Sequence, residues 1–203
     1  MSLGEVIDTE TTALTAESFQ LNHPPALGSL VKSTADDGTT IYGIVCHVST
    51  GGIDPSRRPI RRSTEKVSDS DVYREHPELG HTLRTEFRAL LVGWQDDRLH
   101  QTIPPRPPAL HYMVDQCSDE DVIAFTERID YLRLLSGEMG AVPVEQLMIA
   151  NLRFCYERRS QDGDWLRGAA RELVRLMKDD YESLMTVLHA IERTAESAPR
   201  RRS

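Results

Sequence analysis

Hydrophobic and polar positions follow one rhythm in the first 115 residues of the chain and another after them. The first part holds short apolar runs, rich in β-branched or aromatic residues and bounded by Gly, Pro and Asp, a pattern typical of β-strands. Strands are predicted at Val6–Thr9, Leu30–Ser33, Thr39–His47, Glu86–Val92 and Leu110–Val114. Asp37-Gly38 predicts a tight hairpin turn, because Gly accepts a positive φ. Short strands with glycine corners favour a closed barrel, since closure removes exposed edges, and an open antiparallel sheet is the alternative.

The second half of the chain has apolar residues at helical spacing, in three segments. Ser118 is a predicted N-cap with acidic residues in its first turn, and that helix runs to Gly137. Pro143 begins a second helix, which ends by Asp162-Gly163. A third and longer helix from Asp164 carries an apolar stripe that steps by three or four residues. The stripe is predicted to serve self-association or internal packing, and it includes Leu166, Leu173, Met177, Leu184, Leu188 and Ile191.

Together these patterns predict an α+β protein, a small closed antiparallel β-barrel followed by an α-helical C-terminal region of about three helices. The predicted domains are a barrel over 1–115 with a polar insert at 62–85, a helical domain over 116–196, and a basic disordered tail over 197–203. At 203 residues, with 39% hydrophobic content, the chain is long enough for one or two domains with a real core.

Several glycine-centred phrases of the barrel region match a known family. They are Gly4-Glu5-Val6-Ile7, Leu27-Gly28-Ser29-Leu30-Val31, Ile41-Tyr42-Gly43-Ile44-Val45, Asp54-Pro55-Ser56-Arg57-Arg58-Pro59-Ile60 and Ala89-Leu90-Leu91-Val92-Gly93. On these phrases the first 115 residues resemble a HAS barrel, the small β-barrel that precedes the motor in HerA-type DNA translocases and rotary ATP synthase subunits. The chain looks closest to stand-alone HAS-barrel proteins of cyanobacteria. It departs from the motor proteins of the family in that nothing after Gln116 resembles an ATPase. The resemblance implies a module that docks or self-associates, and it names no reaction.

Charge and composition narrow the class of protein. A net charge of -8 argues against unaided nucleic-acid binding, because affinity for a phosphate backbone depends on concentrated Lys and Arg. No apolar run approaches the roughly 18 to 20 residues needed to cross a bilayer, and the acidic N-terminus is unlike a signal peptide. Cys46, Cys117 and Cys155 lie in apolar segments, which predicts reduced thiols in a cytoplasmic protein.

Positive charge is concentrated internally in one proline-interrupted loop, which carries Arg57, Arg58, Arg61 and Arg62. Guanidinium groups bind phosphates and carboxylates through a fixed fork of donors. The loop is therefore predicted to contact an anion or an acidic partner, and a solvated basic loop is the alternative.

No local motif for catalysis, metal binding or cofactor binding accompanies these features. Gly38 and Gly43 have the P-loop spacing, but Ile44 and Val45 stand where Lys and Ser or Thr are required, so we expect no ATP hydrolysis. Other candidate groups are better explained by local structure, namely His76 with His81, Cys46 with His47, and the turn pairs Asp36-Asp37 and Asp96-Asp97. We accordingly predict no catalytic residue, metal ligand or cofactor.

A polyproline phrase follows the last long strand, Pro104-Pro105-Arg106-Pro107-Pro108. Its locked φ angles favour a stiff, extended segment. We interpret it as a rigid lead into the strand at Leu110, and a ligand for an aromatic groove on another protein is the alternative.

Two functions of different classes fit the sequence. The first is a non-enzymatic interaction or assembly module that uses a HAS-like barrel and a helical appendage to dock on a larger complex, or to self-associate. The second is a small-molecule enzyme or anion-binding protein with a site between barrel and helices. The absence of a local catalytic signature favours the first. A deep pocket with convergent polar groups would favour the second, and an exposed apolar patch the first.

Overall fold

Seven antiparallel strands build the N-terminal part of the protein. A computed structural model describes residues 1–54, 56, 59–62, 70–135 and 142–197. The strands are β1 (Ser2–Thr9), β2 (Ala13–Ser18), β3 (Leu30–Thr34), β4 (Thr40–Gly52), β5 (Leu83–Gln95), β6 (Leu99–His100) and β7 (Met113–Gln116). Their order is β2-β1-β7-β3-β4-β5-β6, and an additional pairing of β2 with β5 closes a six-stranded barrel. The predicted closed antiparallel barrel is confirmed, and β6 adds a short hairpin to β5 outside it.

The barrel wall is buried on one face in some strands and on both faces in others. All six barrel strands contribute to an interior cluster of Val6, Leu14, Ala16, Val31, Ile41, Val45, Phe87, Ala89, Leu91 and Val114. On β3, β4 and β5 the outward side chains are buried as well, and they are Leu30, Tyr42, Ile44, Leu90 and Val92. This double burial explains the apolar runs within these strands, which are Leu30-Val31 on β3, Ile41 to Val45 on β4 and Ala89 to Val92 on β5.

Helices occur in the insert and after the barrel. They are α1 (Ser70–Glu75), α2 (Leu79–Thr82), α3 (Asp119–Phe125), α4 (Leu132–Leu135), α5 (Val144–Arg158), α6 (Gly163–Leu176) and α7 (Tyr181–Ser197). The described residues therefore contain five helices after the barrel, where about three were predicted. The predicted N-cap is correct, since the Ser118 hydroxyl accepts a hydrogen bond from the Asp121 amide, and the Asp121 carboxylate accepts one from the Ser118 amide. Gly137 and the tail beyond Ser197 lie outside the described residues.

Two of the predicted helices are each divided in the structure. The first ends at Phe125, because the side chain of Gln101 donates to the carbonyl of Phe125 and Trp165 donates to that of Thr126. The third is divided between Leu176 and Tyr181, where the Asp180 carboxylate accepts a hydrogen bond from the Ser183 amide and so begins α7. The apolar spacing continues in phase across both breaks, so periodicity alone does not reveal them.

The helices pack on the outer face of the barrel. The ring centroid of Phe125 lies 4.8 Å from the ring centroid of Tyr42 on β4 and 5.2 Å from that of Tyr131. Helix α5 packs on this layer, and α6 and α7 contact α5. One apolar cluster runs from the barrel wall to Leu184 and Ile191 on α7.

A buried seam of hydrogen bonds joins α5 to the barrel. Asn151 donates to the carbonyl of Gly28 at 2.8 Å and accepts from the Tyr131 hydroxyl at 2.8 Å, and Asn151 and Tyr131 are fully buried. Gly28 has a φ of +80°, and a Cβ there would lie 2.5 Å from backbone atoms of Ala150 and Asn151. Only glycine therefore fits where the chain approaches α5.

Candidate functional site

The predicted arginine loop is described only in part. Arg57 and Arg58 lie outside the described residues, whereas Arg61 and Arg62 are exposed. A guanidinium nitrogen of Arg62 lies 3.8 Å from a carboxylate oxygen of Glu78. Arg62 also borders an apolar cleft of about 500 Å³, together with the exposed side chain of Ile60. The structure thus places two of the four arginines at the surface, and anion binding by the loop stays a prediction.

The apolar stripe of the C-terminal helices lies inside the protein. Leu166, Leu173, Leu184 and Ile191 are buried, and Met177 and Leu188 are partly buried against the same cluster. The packing alternative accounts for these positions without a second copy. Self-association through the stripe would require α6 and α7 to separate from α5.

A cleft of about 760 Å³ opens between the chain after β6 and the turn that joins α3 to α4, and we name it the junction cleft. Its lining is Leu99, Gln101, Thr102, Ile103, Ala124, Phe125, Glu127, Arg128, Asp130, Arg133 and Leu134. Leu99 and Ile103, two branched apolar side chains close in sequence, are 36% and 41% exposed. An apolar wall therefore faces solvent where barrel and helices meet.

The side chain of Gln101 fixes both walls of the junction cleft. Its amide nitrogen donates to the carbonyls of Phe125 at 2.6 Å and Arg128 at 2.8 Å, and its oxygen accepts from the Tyr131 amide at 3.3 Å. The two carbonyls belong to the end of α3 and the turn after it, where no helical partner remains. One side chain from the segment after β6 thus satisfies the helix end and joins the two walls of the cleft.

The rim of the junction cleft is charged. Arg128 and Arg133 both pair with Asp130, at 2.5 Å and 3.1 Å, and Glu127 is their neighbour. The side chain of Arg128 is 81% exposed. Guanidinium groups at a rim with an apolar wall suit a ligand that has both apolar and carboxylate groups.

Buried thiol and phenol groups form one class of shifted titratable groups and turn carboxylates another, and in both classes the pKa moves away from neutral pH. Burial raises the pKa of Cys155 to about 12 and the pKa values of Cys117 and Tyr131 above their ordinary range, so these groups stay protonated. Backbone hydrogen bonds lower the pKa values of Asp37 and Asp96, so these turn carboxylates stay ionised. A general acid or base needs a pKa near the working pH, which neither class supplies.

The remaining sequence candidates are dispersed. Cys46 and His47 are neighbours on β4, with Cys46 partly buried and His47 exposed. His76 lies 3.2 Å from the Glu78 carboxylate, in the insert. Within the described ranges, no three His, Cys, Asp or Glu side chains are placed to hold a metal ion.

Sequence reasoning missed the residues of the junction cleft, including Gln101, Ile103, Arg128 and Arg133. A continuous helix was predicted across Thr126–Tyr131, which hid the turn that forms one wall. The residue that signals this turn in the sequence is Thr126, which is the C-cap of α3. Its buried hydroxyl donates a hydrogen bond to the Val122 carbonyl.

Comparison with known proteins leaves the family open. No protein-family model matches the chain, and a search of curated proteins finds no similar sequence at a significant level. In the part of the chain that the structure describes, no helix is both long enough and apolar enough to span a membrane.

Proposed function

We propose that the protein is a non-enzymatic interaction module, a HAS-like barrel with a helical appendage that docks on a larger complex through the junction cleft. The observation that carries this proposal is the exposure of Leu99 and Ile103 beside the guanidinium groups of Arg128 and Arg133. Small apolar anchors within a polar rim are typical of protein contacts.

The occupant that fits is an extended segment of a partner protein with apolar side chains and a carboxylate. The apolar side chains would cover Leu99 and Ile103, and the carboxylate would meet Arg128 or Arg133. Because the Gln101 hydrogen bonds fix the cleft, a partner would lose little free energy to ordering it. A second copy of the chain with such a segment is the self-associating form of the same proposal.

A site-specific cross-linking experiment tests this proposal. A photoreactive phenylalanine analogue replaces Ile103 in one variant and Val174 in the control, since Val174 is 48% exposed on α6 and does not line the cleft. We expect irradiation in the native host to link position 103, and not position 174, to one defined protein. Equal cross-linking from both positions, or none from position 103, would contradict the proposal.

The arginine loop enters the proposal as a second contact with an acidic partner, through Arg57, Arg58, Arg61 and Arg62. Replacing all four by Ala should weaken capture of the cross-linked partner and reduce its sensitivity to salt, because surface charge pairs are screened by ions. Unchanged capture at every salt concentration would show that the loop is only a solvated connection.

The second candidate function is anion binding or small-molecule chemistry in the same cleft. It is favoured by one observation, the approach of two guanidinium groups to the single carboxylate of Asp130. Thermal unfolding with succinate or inorganic phosphate separates the two functions. A rise in the unfolding temperature that Arg128→Gln abolishes would favour the small anion over the protein segment.

A further inference from the structure

A second pocket lies at the end of the barrel where the β3–β4 hairpin turns, and we name it the barrel-end pocket. Its volume is about 590 Å³, and its lining is Ala35, Asp36, Asp37, Thr39, Ile41, Trp94, Pro105, Arg106, Pro107, Ala109 and Tyr112. None of these residues lines the junction cleft. We propose that this pocket binds an Arg or Lys side chain carried by a basic segment of a partner protein.

Two aromatic side chains are fixed in the pocket wall. The Trp94 ring stacks on His100, with centroids 4.1 Å apart and 13° between the planes, and its indole nitrogen donates to Thr102 at 3.3 Å. The hydroxyl of Tyr112 donates to a carboxylate oxygen of Asp36 at 2.5 Å. A cation over the face of Trp or Tyr is attracted by the negative π surface, and rings that are already fixed lose little freedom on binding.

Negative charge stands at the rim of the pocket. Asp37 accepts a hydrogen bond from the Thr39 amide at 2.9 Å, and this bond keeps the Asp37 carboxyl ionised by lowering its pKa. Asp36 uses one oxygen for Tyr112, and a carboxylate has further lone pairs for another donor. Arg106 supplies the single positive charge of the lining, so the pocket carries a formal excess of one negative charge.

The proline-rich phrase forms the opposite wall. Pro104 and Pro108 are buried and anchor the phrase, while Pro105, Arg106 and Pro107 line the pocket. Proline locks φ and presents a flat apolar ring, so this wall is rigid and suits the stem of a long cationic side chain. Because the pocket falls in the range of peptide and ligand sites, it also leaves room for residues that flank the cation.

Charge complementarity decides the occupant. Two carboxylates and two aromatic side chains in the lining favour a cation, and the whole chain carries a net charge of -8, which attracts basic segments at longer range. This inference does not rest on the proposed role of the junction cleft, because the two pockets share no lining residue.

The chain contains two tryptophans, so the test follows both indole N–H signals by NMR. Trp94 reports on the pocket, and Trp165, whose indole nitrogen donates to the Thr126 carbonyl at 2.7 Å, is the internal control. The probe is the blocked peptide acetyl-Gly-Arg-Gly-amide. In the control peptide citrulline replaces Arg, because citrulline has the shape of Arg without the charge. We expect the Arg peptide to shift Trp94 alone, with an affinity about tenfold above that of the citrulline peptide.

Charge-neutral variants sharpen this test. Asp36→Asn with Asp37→Asn keeps acceptors for Tyr112 and Thr39 and should weaken binding of the Arg peptide about tenfold. The matched control is Asp179→Asn with Asp180→Asn, an adjacent acidic pair in which Asp180 also accepts from a backbone amide. Arg106→Gln should strengthen binding, because it removes a competing cation.

Several results would overturn the proposal. They are an unmoved Trp94 signal, equal shifts with Arg and citrulline, an equal loss in the Asp179 and Asp180 control, and weaker binding in Arg106→Gln. The last result would mean that Arg106 helps to hold the peptide and does not compete with the bound cation. An unchanged Trp165 signal in every variant confirms that the fold is intact.

Discussion

The seam between barrel and α5 and the rim of the barrel-end pocket both contain hydrogen-bonded polar side chains, but in different states. In the seam, the amide of Asn151 is fully buried, neutral and bonded at both its oxygen and its nitrogen. At the rim, Asp36 and Asp37 are exposed; Asp36 accepts a hydrogen bond from the Tyr112 hydroxyl, and Asp37 accepts one from the Thr39 amide. A buried neutral group that is fully bonded specifies one geometry, whereas an exposed carboxylate retains acceptor capacity for a ligand.

We therefore expect the buried seam groups to stabilise the fold and the exposed rim groups to bind a ligand. Loss of a seam group leaves its buried partner without a hydrogen bond, which lowers the free energy of unfolding strongly. Loss of a rim group leaves its partner in contact with water, so the free energy of unfolding changes little. Substitutions in the seam should therefore act on stability, and substitutions at the rims on binding. The predictions below test this division.

The largest effect is expected for Gly28→Ala. The new Cβ would meet the backbone of α5 at 2.5 Å, and φ is +80°, so overpacking and backbone strain add. We expect a loss of about 4 kcal/mol in the free energy of unfolding, measured by urea denaturation. Gly38→Ala is the control, with a φ of +84° and nothing within 4 Å, and should lose about 1 kcal/mol. Equal losses would mean that contact with α5 is not the cause.

Asn151→Ala is expected to have the next largest effect. It leaves the Gly28 carbonyl buried without its donor and removes the acceptor of the Tyr131 hydroxyl, and we expect a loss of about 3 kcal/mol. Tyr131→Phe, which keeps the ring, should lose about 1 kcal/mol. In the double variant the hydroxyl is absent, so Asn151→Ala leaves one fewer buried group without its hydrogen bond, and the two losses should not add. Strict additivity would contradict a shared network.

The barrel was predictable where strand length and composition agree. The strands at Leu30, Thr39 and Glu86 contain apolar runs with β-branched or aromatic residues, because parts of these strands are buried on both faces. Strand β2 was missed, since Ala13–Ser18 is short and rich in small and polar residues. Leu14 and Ala16 nevertheless fill the interior, and the pairing with β5 that closes the barrel joins residues about 70 positions apart.

The clefts could not be predicted, because long-range contacts create them. Gln101 ends α3 from 24 residues earlier in the chain, and Trp165 does so from 39 residues later. The barrel-end pocket brings the turn at Asp36 next to Tyr112, 76 residues away. Composition identified the arginine loop and the acidic turns as charged, but spacing along the chain does not indicate which of them face an aromatic ring.

A moderate, pH-dependent effect is expected for Asp121→Asn. Burial alone would raise the pKa of Asp121, but hydrogen bonds from Lys32, at 2.6 Å, and from the Ser118 amide outweigh it and lower the pKa. The carboxylate therefore stabilises the fold above its unfolded pKa of about 3.9, and this contribution is lost as the pH falls through the lower folded pKa. We expect Asp121→Asn to lose about 1 kcal/mol at pH 7 and progressively less below pH 4.

Denaturation across pH measures this difference, and Asp164→Asn is the control. Asp164 pairs with Arg167 on α6, but its side chain is 93% exposed. Solvent screens such a pair, so the control should change stability very little. A difference for Asp121→Asn that does not depend on pH would contradict the role assigned to the ionised carboxylate.

The smallest expected effect is on the chemical reactivity of the cysteine thiols. This reactivity shows whether the seam between the barrel and α5 is closed. Cys155 and Cys117 are buried, and burial raises the pKa of Cys155 to about 12, while Cys46 is partly exposed. Since the thiolate is the nucleophile, a disulfide reagent should titrate Cys46 alone in the folded protein, and all three thiols after unfolding. Cys46→Ser should abolish the native reaction.

In the Gly28→Ala variant, Cys155 should react under native conditions, because a weakened seam allows α5 to separate from the barrel more often. If Cys155 stays protected while Gly28→Ala is strongly destabilised, the lost stability lies outside the contact between barrel and helices.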